Sequence, residues 1–159
     1  MSIRQHSAAI GILSVAMLVV RPSSAEQPQI GVGPAVKSVT CEFSLSVTGT
    51  WSAGEPHAAI KADHLTLRYD SIDTDGGTAR IVGSGNAGPS DIVVKLTLGT
   101  LHFVQSFIDG PLYVTTVFPK ETRRGRLQAV HTRHEFTEVS LPGFTSRPEQ
   151  YYGDCSVEQ

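Results

Sequence analysis

The sequence predicts an all-β protein, an antiparallel meander of about eight strands that closes into a small barrel in preference to folding as a sandwich. Three observations predict it. Apolar and polar residues alternate over most of the chain beyond residue 36, and successive strand side chains point to opposite faces. Clusters of Gly, Pro, Asp and Ser punctuate these runs at short intervals. Beyond residue 25 no long stretch spaces its apolar residues by three and four, as a helix would. A meander has two bare edges, and closure removes both.

The chain has 159 residues and opens MSIRQHSAAIGILSVAMLVVRPSSA. Arg4 gives a positive start, Ala8 to Val20 is almost wholly apolar, and Ser23 and Ala25 are the small residues a cut after Ala25 requires. This is the three-part pattern of a secretory signal peptide, assigned to residues 1–25. Its apolar run is shorter than the roughly 20 residues that span a bilayer. The expected location is periplasmic or extracellular, with no membrane span after cleavage. Residues 26–35, EQPQIGVGPA, read as a flexible leader, and 36–159 as a single β-barrel-like domain.

Cleavage would remove Arg4 and Arg21 and no acid. The 13 Lys and Arg become 11 against 15 Asp and Glu, a net charge of −4. A mildly acidic protein has no electrostatic case for binding nucleic acid or an anionic membrane. The two cysteines, Cys41 and Cys155, would meet an oxidising compartment and allow one internal pairing, which would tie the first strand to the last. Two cysteines are too few for a cysteine-based metal site.

The first strand, VTCEFSLSVTGTW, places Val39, Cys41, Phe43, Leu45, Val47 and Trp51 on one parity, the expected buried face. The segment SAGEPH then reads as a loop. HLTLRYD alternates Leu65, Leu67 and Tyr69 with polar residues. The turn DTDGG leads to a short strand at 78–82, the loop GSGNAGPS at 83–90, and the strand DIVVKLTL. Gly99 marks a tight corner before TLHFVQSF, and the turn DGP precedes LYVTTVF. The polar tip PKETRRG, the strand RLQAVHTRHEF and the closing strand QYYGDCSV complete the set.

Several motifs invite chemistry. GSGNAG, from Gly83 to Gly88, has the glycine spacing of a dinucleotide loop, but a strand follows it where the phosphate-binding helix should start, so no cofactor is expected. Asp73, Asp75 and Gly76 begin like a calcium loop, yet its twelfth position is Ser84 rather than Glu, and a turn accounts for them. In AVHTRHEF, His131 and His134 are three apart. On a strand that spacing sends them to opposite faces, which argues against a shared metal unless a bulge intervenes. His131 then shares a face with Ala129, Arg133 and Glu135, and His134 one with Val130, Thr132 and Phe136; which face is buried is open. The cations of PKETRRGR could dock an anion, although a solvated tip accounts for them. No nucleophile-elbow, zinc-helix or Ser-x-x-Lys pattern selects a catalytic set.

Two resemblances add to this. Gly49-Thr50-Trp51 resembles the G-x-W of lipocalin-type and avidin-type barrels, where the motif opens the first strand and the Trp plugs the barrel's end; here it closes the strand instead. The order of Cys41, VTTVF (114–118), AVHTRH (129–134) and QYYGDC (150–155) resembles a group of small exported bacterial proteins without known activity. That resemblance implies secretion, β structure and an end-to-end disulfide.

The function expected is a non-enzymatic binding module for a small apolar ligand or a protein. Trp51, Tyr113, His131 and Arg133 are the candidate binding residues, with Phe103, Phe107 and Phe118 as further aromatic walls. The alternatives are a protein-binding or inhibitor-type barrel acting through loops such as SAGEPH and PKETRRG, and a small hydrolase or other acid–base enzyme without a recognisable motif.

Overall fold

The computed structural model of the protein describes residues 32–33, 35–82, 88–108, 110–135 and 147–159. The expected signal peptide and most of the leader lie outside them, as do residues 83–87 and 136–146. Eight strands run in sequence order: β1 Ser38–Ser52, β2 Glu55–Asp73, β3 Thr78–Val82, β4 Ser90–Thr97, β5 Thr100–Ser106, β6 Leu112–Glu121, β7 Leu127–His134 and β8 Glu149–Glu158. Each pairs antiparallel with the next, and β8 returns to β1, so the meander closes into a barrel. The described residues contain no helix.

Cross-strand register defines the interior as rows of side chains. Leu67, Cys41, Cys155 and Leu127 lie opposite one another on β2, β1, β8 and β7. The next row sets Phe43 opposite Gly153, Ala129 and Val117. Cys41 and Cys155 form a disulfide across the β1–β8 seam, as their number and spacing suggested. Tyr69 and Phe103 stack inside, with ring centroids 4.0 Å apart and planes 7° from parallel. Val32 falls within the expected leader but is buried in the core with Val36. Lys37 bonds Glu158 and Ile72 through the backbone, which anchors this segment to β8 and β2.

The expected inner face of β1 holds only as far as Phe43. A bulge between Phe43 and Leu45 inserts one extra residue, which flips the face of everything beyond it. Ser46 is therefore wholly buried, while Leu45 and Trp51 are exposed. Gly153 opposes the bulge closely: a Cβ there would lie 2.0 Å from the Glu42 carbonyl oxygen. Overpacking of that kind excludes any side chain at this position.

SAGEPH is not an extended loop. β1 continues to Ser52 and β2 begins at Glu55, leaving a two-residue turn with Ala53 at φ 51° and Gly54 at φ 85°. Leu98 and Gly99 make the same turn between β4 and β5, at φ 50° and 74°. Positive φ at both central residues matches the right-handed twist of a hairpin. The Asp73 carboxylate accepts the N–H groups of Asp75 and Gly76, so the calcium-like sequence is a self-capped turn.

The PKETRRG tip is more than a solvated cap. Arg124 and Arg126 ion-pair with the buried Asp154 at 2.6 and 2.9 Å, and Arg126 also reaches Glu42. The β6–β7 turn is thereby clamped onto β8 and β1. Lys120 and Arg123 stay exposed.

Candidate functional site

Above the apolar rows the interior turns polar. Register sets Ser46, Tyr151, His131, Thr115 and Phe103 opposite one another on β1, β8, β7, β6 and β5. The next row runs Thr48, Glu149, Arg133, Tyr113 and Gln105 on the same five strands. Alternation carries each strand from one row to the next in steps of two residues.

His131 lies at the centre of this region and is 2% exposed. The Arg133 Nε–H can only donate, and it lies 3.3 Å from His131 Nε2. Nε2 is therefore the acceptor, and the ring proton belongs on Nδ1. Nδ1 lies 2.7 Å from Thr115 Oγ1, which in turn lies 2.5 Å from the Tyr69 hydroxyl. The result is a hydrogen-bonded chain that links Arg133, His131, Thr115 and Tyr69, directed from Arg133 to Thr115. Burial, aided by the neighbouring Arg133 charge, pushes the His131 pKa down to about 3. The imidazole is neutral at ordinary pH. Burial raises the Tyr69 phenol well above its usual range.

Arg133 is also held by aromatic faces. Its guanidinium carbon lies 5.4 Å from the centre of Tyr113 and 5.0 Å from that of Tyr151. Tyr151 donates its hydroxyl to buried Glu149 at 2.6 Å. Burial and that carboxylate keep the Tyr151 phenol protonated. Phe107 meets Tyr113 edge-on at 5.0 Å. Asp63, from β2, lies near enough to act on Tyr151 electrostatically. The His64 N–H and the Lys61 ammonium hold Asp63 below its usual carboxylate range.

Three of the four candidate binding residues therefore come together: Tyr113, His131 and Arg133. Trp51 does not join them, because the β1 bulge turns it outward. Beyond Gly49, whose N–H bonds the Pro148 carbonyl, β1 pairs only with β2 among the described residues, and the two form a ribbon extending past the barrel. Trp51 sits near its tip at 61% exposure, opposite Pro56, with Ile60 and Val47 paired on the same face. Trp51 plugs no barrel end, unlike the Trp of the G-x-W families. Of the other aromatic candidates, Phe103 is core, Phe107 flanks Tyr113, and Phe118 is on the exposed surface. Phe136 lies outside the described residues.

His131 points inward and His134 is exposed, so the pair does not converge on one metal. Among the described residues no group of three or more His, Cys, Asp or Glu is placed to hold a metal ion. Sequence reasoning missed Tyr69, Thr115, Glu149 and Tyr151. A signal for the last two was present: they share parity with Cys155, whose disulfide directs it inward. Compared with protein-family models, curated proteins and solved structures, the chain matches none.

Proposed function

We propose that the protein is a non-enzymatic binding module of the periplasm or extracellular space, taking a small, largely apolar ligand at the Arg133 end of its barrel. The observation that carries this reading is Arg133 itself, held inside a closed barrel by two tyrosine faces and a histidine acceptor. An eight-stranded barrel has room for packed side chains or for one small ligand. Placing an arginine, a histidine and a glutamate in that space costs desolvation that an apolar filling avoids. Small-ligand sites share this design, apolar and aromatic walls with a few fixed polar groups.

Two further points support the reading. The basic nitrogen of His131 is occupied by the Arg133 N–H, and its pKa of about 3 makes it a weak base for catalysis near neutral pH. The disulfide fits an oxidising compartment, and the amino-terminal pattern supports export. Among the described residues no helix is long and apolar enough to cross a membrane.

Native mass spectrometry of the protein purified from a bacterial periplasm tests the proposal. The expected result is a co-purifying mass that is lost on mild denaturation. A bare chain, lighter by the two hydrogens of the disulfide, would remove the small-ligand reading.

A further inference from the structure

We propose that the ligand is a zwitterion of the amino-acid type, with its carboxylate on Arg133, its ammonium on Glu149 and its apolar body against Tyr113. This rests on the binding reading above and names the ligand class.

The layout of fixed charge leads to it. Arg133 and Glu149 face each other across β7 and β8. Directly opposed residues carry Cβ atoms about 5 Å apart. Each is held by fixed neighbours: Arg133 by His131 and the faces of Tyr113 and Tyr151, Glu149 by the Tyr151 hydroxyl. A cation and an anion are thus set side by side, with Tyr151 between them, its ring face against Arg133 and its hydroxyl on Glu149.

The donor geometry of Arg133 is specific. Its Nε edge is directed at His131. In a planar guanidinium the two Nη groups lie opposite Nε, and that edge matches a carboxylate in bidentate fashion. On Glu149, Oε2 takes the Tyr151 hydroxyl, and a carboxylate has a second oxygen able to accept from an ammonium.

Neither charge suits a singly charged ligand. A plain carboxylate on Arg133 would lie beside Glu149. A plain ammonium on Glu149 would lie beside Arg133. A zwitterion whose charges are one carbon apart meets both groups with the favourable sign and leaves neither desolvated against a like charge. Tyr113 and its edge-on neighbour Phe107 supply an aromatic wall beside the charged pair, so an amino acid with an aromatic side chain is the probe of choice.

Isothermal titration of the protein with L-phenylalanine, N-acetyl-L-phenylalanine and L-phenylalaninamide tests the assignment. The first carries both charges, the second only the carboxylate, the third only the ammonium. The expected result is binding of phenylalanine at least tenfold tighter than either analogue. Arg133→Gln should erase its advantage over the amide, and Glu149→Gln its advantage over the acetylated acid. Equal binding of all three compounds overturns the proposal, and that comparison needs only the unmodified protein, so it decides even if a variant fails to fold. If none of the three binds while native mass spectrometry shows another released mass, the zwitterion assignment falls and the binding reading stands. If none binds and the chain is bare, both fall.

Discussion

His131 shows how burial decides the chemistry of one side chain. Its strand puts it inside, Arg133 makes its Nε2 an acceptor, and the low dielectric opposes a second proton. A neutral folded histidine has a consequence for stability. In the unfolded chain the ring titrates near its ordinary value of 6.5, and in the folded protein near 3. Below pH 6.5 the unfolded state therefore binds more protons than the folded one, and acid favours unfolding. The contribution of His131 to stability is fully present above pH 6.5 and is lost as pH falls toward 3. Thermal midpoints recorded across that window should drop by an amount worth a few kcal/mol, and His131→Gln should flatten that part of the profile. An equally steep acid profile in the variant would show that other groups carry it.

At the scale of elements, the turns and the bulge carry local constraints that burial does not express. Ala53 and Leu98 occupy the left-handed region at the first position of two-residue hairpin turns. Asn or Gly adopts that conformation at lower cost than other residues. Leu98 is also 95% exposed, so its side chain contributes little packing. Leu98→Asn should therefore stabilise the protein by about 1 kcal/mol. Chemical denaturation reads this directly, and an unchanged or lower midpoint would mean that the turn is not under the expected strain. The β1 bulge has a larger structural effect. It reverses the faces of the outer half of β1 and sends Ser46 inward, while Trp51 lies farther out, where β1 and β2 run on past the β1–β8 pairing.

For the whole molecule, closure is the central fact. Every strand has two partners in the ring, and the β1–β8 seam that completes it carries the Cys41–Cys155 disulfide. The Asp154 clamp to Arg124 and Arg126 fastens the β6–β7 turn beside that same seam. A cross-link between residues 114 apart restricts the unfolded chain strongly, by about 4–5 kcal/mol in the chain-entropy description. Measured effects commonly fall below that figure, so reduction or Cys41→Ser should lower stability by a few kcal/mol. Identical thermal midpoints with and without reductant would show that strand pairing alone holds the seam.

Fold class, strand number and strand order were legible in the sequence because each is a local property. Alternation marks a half-buried strand, turn residues mark its ends, and short connections leave an antiparallel meander as the simplest path. The disulfide was legible from the cysteine count. The faces of His131 and His134 were legible as opposite, because period two is a property of any strand. Which of them was buried was not, since Ala129, His131, Arg133 and Glu135 mix apolar and polar groups as evenly as the other face does. The fate of Trp51 was hidden for a different reason. A one-residue bulge has no composition of its own, and it forms where β1 meets Gly153, more than a hundred residues away in the chain. The interior of the polar site depends on the same kind of long-range contact. Arg133, Glu149, Tyr113 and Tyr151 become neighbours only when β6, β7 and β8 align in register, and the rows that register creates cannot be read along any single strand.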